Sequence, residues 1–169
     1  RGFIDIALWD LVAKAAAIPV FRYINGFRNH CPVYKRGAGI SPDEILEEAQ
    51  QARNDGYKGY KVATPLPEEA MVPLIHHLRE TVGDDFYLML DGRGQLTIAD
   101  AIKMGRALDE TGYYWFDRPR MAIDTTGGKQ VADELDTPIT AEVTTPLEAS
   151  QVMSTQSADH IKTGTPYSG

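Results

Sequence analysis

Cysteine is nearly missing from this chain: Cys31 is the only one in 169 residues. A lone thiol closes no intrachain disulfide and builds no cysteine zinc site. A reducing, cytoplasmic setting is therefore the expectation. Basic residues are in deficit, 17 Lys and Arg against 24 Asp and Glu, for a formal net charge of −7. A phosphate-binding surface needs clustered Lys and Arg, so nucleic acid is not an expected partner. No apolar run reaches membrane length and no signal peptide is read, so no membrane partner is expected either. Glycine-rich phosphate loops are also missing. "DGRGQ" carries two glycines at the wrong spacing for G-x-G-x-x-G or G-x-x-x-x-G-K-[ST].

What is there is apolar content, 43% of residues, enough for a sizeable core in one domain or part of a larger one. Helical and strand segments alternate. "IALWDLVAKAAA" reads as a helix that "IPV" ends, and "CPVYKR" as a short strand. "SPDEILEEAQQARNDG" is a helix with Ser41 as N-cap, Pro42 at its first position and Gly56 past its end. "YKGYKVA" is a strand. "PEEAMVPLIHHLRETVG" is a helix whose start Pro73 could shift. "FYLMLD" is a strand, "TIADAIKMGRALDETG" a helix capped by Thr97, and "YYWFD" a strand. "TGGKQVADELD", "PITAE", "TPLEASQVMS" and "DHIKT" continue the alternation. Strand–helix–strand units give right-handed crossovers and a parallel sheet. Two architectures compete, a (β/α) barrel and an open doubly wound sheet.

Polar residues gather where these strands stop: Lys61, then Asp91 and Arg93, then Asp117 and Arg118, then Glu142, then Lys162. The carboxyl ends of parallel strands are where α/β sheets carry their sites. Three acids on consecutive strands converge in a barrel and repel one another unless a cation sits among them. Oxygen donors without His or Cys favour Mg²⁺ over zinc. A lone Asp at a strand end is more often an N-cap or a salt-bridged loop residue, so the common register carries the argument. His76 and His77 read as surface or partly packed, His160 as structural, and His30 and Cys31 carry no assigned chemistry. Trp9 and Trp115 are expected in the core, and "DEILEE" reads as a solvated helix face.

The segment "IDIALWDLVAKAAAIPVFRYINGFRNHCPVY" resembles the opening of the barrel domain in the mandelate racemase and muconate lactonizing branch of the enolase superfamily. "GYKGYKVAT", "YLMLDGRGQLTIADAIKMGRALDETGYYWFDRP" and "ELDTPITAE" continue the resemblance in order, over essentially the whole chain. It implies an α/β fold, a parallel (β/α) TIM-type barrel, incomplete here with six strands. Residues 1–169 would then be a partial barrel domain, with the capping domain and the last barrel strands absent. The start in mid-helix leads to the expectation that residues precede Arg1. "YSG" reads as the beginning of the turn after strand six. Uncovered edges at strands one and six lead to the expectation of further chain or a homo-oligomer.

The resemblance also implies chemistry. In the family, Mg²⁺ holds the carboxylate of a small acid substrate, and a Lys or His removes the α-proton through an enediolate. Racemisation, cycloisomerisation or loss of water follows, so an active member is a lyase or an isomerase. Carried over, Asp91 and Asp117 are metal ligands, with Asp117 replacing the usual Glu. Ungapped counting from Pro138 puts Val143 on the third ligand position, so Glu142 serves only if the strand shifts by one residue. Lys61 is the first of the family's Lys-x-Lys pair, and Ala63 stands where the base usually is. Lys162 lies two residues before Gly164, where an acid or Lys often stands. Arg93 replaces a neutral amide, and is expected either to bind the substrate carboxylate or to pair with Asp91 and fill the site; Arg118 beside Asp117 invites the same two readings. Two hypotheses follow: a Mg²⁺-dependent sugar-acid dehydratase or racemase, with Lys61 and Lys162 catalytic, or a catalytically inactive relative serving as a binding or structural module.

Overall fold

The structure, a computed structural model, describes residues 2–64 and 66–164. The turn expected at Tyr167–Gly169 lies outside the described residues. In chain order the elements are α1 (Gly2–Ala15), α2 (Val20–Tyr23), β1 (Tyr34–Arg36), α3 (Pro42–Asn54), β2 (Gly59–Val62), α4 (Glu68–Val82) and β3 (Tyr87–Asp91). They continue with α5 (Ile98–Glu110), β4 (Trp115–Asp117), α6 (Thr125–Glu134), β5 (Ile139–Val143), α7 (Pro146–Thr155) and β6 (His160–Thr163). The six strands form one parallel sheet in the order β1-β2-β3-β4-β5-β6, curled into a half-barrel. Consecutive order means that every crossover advances by one strand in the same direction. That is the winding of a barrel and excludes the doubly wound alternative.

The helix starts follow local chemistry. The side chains of Ser41, Thr97, Asp124 and Thr145 each accept a hydrogen bond from the backbone N–H three residues on, and Thr145 with Glu148 completes a capping box. Pro73 does not move the start of α4, which runs unbroken from Glu68. The four-residue α2 lies where the sequence suggested only a helix end.

The strands are two-sided, and their register decides which side each residue serves. Tyr60, Val62, Leu88, Leu90, Phe116 and Ile139 face the helices and form the main core with Ile45, Leu74, Ile75 and Leu78. The alternate residues line the concave face. Lys61 pairs in register with Met89, Asp91 with Asp117, Asp117 with Thr140, and Glu142 with Lys162. Tyr34 and Trp115 meet edge-on across this face with ring centroids 5.8 Å apart.

Helix α1 departs from expectation. Trp9 is 41% exposed rather than in the core, and only Gly2 and Ala13 of α1 are buried. Its apolar residues surround the helix, as in a helix buried on several sides, but here its main neighbour is the short α2. Among the described residues, no helix is long and apolar enough to cross a membrane.

Candidate active site at the strand ends

Strands β2 to β6 deliver the predicted residues to one place. Asp117 is its centre, almost wholly buried. Lys61 Nζ donates to it at 2.6 Å, Lys162 Nζ at 2.7 and 3.0 Å, and the Thr140 hydroxyl at 2.7 Å. Lys61 is buried too and also lies 3.5 Å from Asp91. Its ammonium sits 5.7 Å from the centroid of the Tyr34 ring.

Glu142 is where sequence counting and structure differ. Its side chain faces the concave side, 2.6 Å from Arg118 Nη1 and 3.9 Å from Lys162 Nζ. Val143, the residue selected by ungapped counting, is buried on the helix side with Ala141 and Val152. Period-two alternation explains this: Thr140 and Glu142 share the face on which Asp117 already lies.

The two arginines also part company. Arg93 gives Asp91 only its backbone N–H, at 3.0 Å, and its own side chain is exposed. The guanidinium that pairs with Asp91 belongs to Arg118, whose Nη2 lies 3.1 and 3.2 Å from the two carboxylate oxygens. Arg118 therefore bridges Asp91 and Glu142, and its Nε stands 3.9 Å from Asp117. That Nε is buried without a hydrogen-bond partner among the described residues. Both arginines occupy the left-handed region, φ 59° for Arg93 and 49° for Arg118, which disfavours side chains other than glycine.

The loops after β3 and β4 hold these residues. Gly92 N–H donates to the Asp117 carbonyl and Gly94 N–H to the Arg118 carbonyl, each at 2.7 Å. A Cβ on Gly92 would stand 2.7 Å from Pro119 Cα, so only glycine allows this approach. Arg120 fastens the same loops through the Leu96 carbonyl and the Asp124 carboxylate. Sequence reading passed over Thr140, Tyr34 and Arg120. Thr140 could have been found as the residue two places before Glu142 on the same strand face.

The electrostatics follow from burial against pairing. Burial pushes the Asp117 carboxyl up, but the hydrogen bonds from Lys162, Lys61 and Thr140 outweigh it and hold it below the usual carboxylate range. Burial pushes Lys61 down, but the hydrogen bond and charge of Asp117, with Asp91 behind, carry it above the ordinary lysine value. Three carboxylates thus face three cations: Lys61, Arg118 and Lys162.

As the side chains lie, no group of three or more Asp, Glu, His or Cys among the described residues is arranged to hold a metal ion. The donor set itself suits a hard divalent cation. Asp91, Asp117 and Glu142 offer only oxygen, from three neighbouring strands on one face. By donor type the residues fit such an ion, and what stands between Asp91 and Glu142 is the Arg118 guanidinium.

Comparison with known proteins places this geometry. The L-talarate/galactarate dehydratase of Salmonella typhimurium is 33% identical over 98% of this chain. The arabinonate dehydratase of Saccharolobus solfataricus is 27% identical over 98%. The chain spans 43% and 46% of those two relatives, less than half of each. The solved L-Ala-D/L-Glu epimerase of Bacillus subtilis superposes with a TM-score of 0.90 over 97% of this chain and 47% of its own, at 26% identity. The Salmonella dehydratase, solved with Mg and L-lyxarohydroxamate, superposes with a TM-score of 0.87 over 98% of this chain and 44% of its own, at 31% identity. The family model described as enolase C-terminal domain-like matches residues 44–169. The winding of the half-barrel, the acids on its consecutive strand ends and these matches agree: the chain belongs to the enolase superfamily, in its mandelate racemase and muconate lactonizing branch.

Proposed function

We propose that this protein removes the proton α to the carboxylate of a small acid, a sugar acid first among the candidates, as a dehydratase or racemase does. The observation that carries the reading is the convergence of Asp91, Asp117 and Glu142 with Lys61 and Lys162 on one concave face. The sugar-acid dehydratases among its relatives support the substrate class. Asp91, Asp117 and Glu142 would hold Mg²⁺, which solved relatives contain. When bound, it supplies positive charge where the substrate carboxylate gains electron density as the α-proton leaves.

The chain's own residues divide the remaining tasks. Lys61, buried and held cationic by Asp117, keeps a fixed positive charge under the substrate and is a poor proton acceptor. Lys162 reaches Asp117 with its side chain partly open to the concave space, so it is the lysine placed to carry a proton. Arg93, exposed beside Asp91, would meet the far carboxylate of a diacid. Ala63 offers no base just past β2, so proton transfer falls to the β6 side of the sheet.

The test is incubation with galactarate and arabinonate in D₂O with Mg²⁺, followed by proton NMR. Loss of the α-proton signal or formation of a 2-keto acid, abolished in Lys162→Ala, is the expected result. No exchange with any acid of the panel overturns it. A second reading, a catalytically silent relative that binds small carboxylates, is favoured by Ala63 and by the neutralised acids. Saturable acid binding without exchange would select it.

A further inference from the structure

We infer that Arg118 is a built-in counter-cation that occupies the position between Asp91 and Glu142, and that a divalent ion and the Arg118 guanidinium exclude one another there. The inference rests on the metal reading above and goes beyond it. Charge pairing assigns the role. Asp117 already has Lys61 and Lys162 at hydrogen-bond distance. Asp91 and Glu142 share Arg118 as their close partner, at 3.1 Å and 2.6 Å. Lys61 lies farther from Asp91, at 3.5 Å.

The placement of Arg118 depends on those ion pairs. Its backbone sits at φ 49°, which a side-chain-bearing residue disfavours. Its Nε is buried with no hydrogen-bond partner among the described residues, a desolvated donor that contributes nothing to holding the group. Its side chain is 30% exposed, so the guanidinium has a path to water. Lys61, buried and clamped by Asp117, has no such path. Lys162 is also partly exposed, but its departure would leave Asp117 still held by Lys61, so Arg118 is the cation in the cluster whose departure leaves two carboxylates free. It cannot lose its charge instead, because a guanidinium stays protonated. A bound divalent ion must therefore drive it out physically.

Two consequences separate this role from an ordinary salt bridge. Removing the guanidinium tightens divalent binding, and the ion then restores the stability that the missing charge took away. The experiment is Mg²⁺ titration by calorimetry, with thermal melts in the presence and absence of Mg²⁺, on wild type, Arg118→Gln and Arg118→Gln/Asp91→Asn. Arg118→Gln is expected to bind Mg²⁺ on the order of tenfold or more tighter than wild type, what removing one competing charged hydrogen bond corresponds to. Its metal-free melting temperature falls below wild type and returns on adding Mg²⁺, and the second substitution abolishes both effects. Arg118→Lys keeps a charge but cannot span both carboxylates, so it binds with intermediate affinity. It carries the test if far-UV circular dichroism shows Arg118→Gln unfolded. Equal Mg²⁺ affinity in wild type and variants overturns the exclusion and leaves the metal reading standing. No binding in any variant overturns the metal reading and this inference with it.

Discussion

Replacing Asp117 by Asn keeps the shape of the residue and removes one charge from the centre of the cluster. In the folded protein the carboxylate accepts from Lys61, Lys162 and Thr140 and is almost fully buried. Water cannot take over for the lost charge at Lys61, whose side chain is 5% exposed. Its nearest remaining carboxylate is then Asp91 at 3.5 Å. Breaking a buried ion pair from one side costs about 3–5 kcal/mol, and an amide that still accepts hydrogen bonds puts Asp117→Asn near about 3 kcal/mol. For a chain of this length that is a fall of roughly 6–12 °C in Tm. Urea unfolding followed by circular dichroism measures it. Pairing Asp117→Asn with Lys61→Met should recover much of the loss, because no unpaired ammonium is then left buried. A single-variant loss under about 1 kcal/mol, or strict additivity in the double variant, would refute the view that burial makes this cluster costly to break.

Other outcomes follow from the same geometry. The Asp117 pKa is depressed on folding, so its contribution is present above the unfolded value of about 3.9 and is lost as pH falls through the folded value. Asp117→Asn should therefore flatten the acid limb of a stability-versus-pH curve. The Lys61 pKa is raised on folding, so its contribution is present below the unfolded value of about 10.4 and is lost as pH rises through the folded value; Lys61→Met should flatten the alkaline limb. Gly92→Ala must push Pro119 aside, and is expected to lower stability by about 1–3 kcal/mol, read by urea unfolding, and to displace Arg118 from Asp91. Leu78→Ala, fully buried, should cost about 2–5 kcal/mol, whereas Leu11→Ala, 65% exposed on α1, should stay within about 0.5 kcal/mol.

Much of the fold and of the candidate site was legible in the amino-acid sequence. Ser41 and Thr97 cap helices because a short polar side chain just before an amphipathic run has a free backbone N–H to satisfy. Alternating strands and helices imply parallel crossovers, and polar residues closing apolar strands marked Lys61, Asp91, Asp117, Glu142 and Lys162 as one candidate set. These are local signals, carried by neighbours along the chain.

Tertiary structure decided the rest. Whether Glu142 or Val143 faces the acids depends on how β5 pairs with β4 and β6, and inter-strand pairing leaves no mark in β5 itself. Trp9 is apolar enough for a core, but burial needs a partner surface, and the main neighbour of α1 is the four-residue α2. Arg93 and Arg118 are alike in the sequence, each next to or near a strand-end Asp. One points to water while the other bridges Asp91 and Glu142, because stitched loops at Gly92 and Gly94 set two left-handed backbones in different places. Residue type and pattern determined which chemistry was available to this chain; the pairing of charges in three dimensions decided which carboxylates meet which cations.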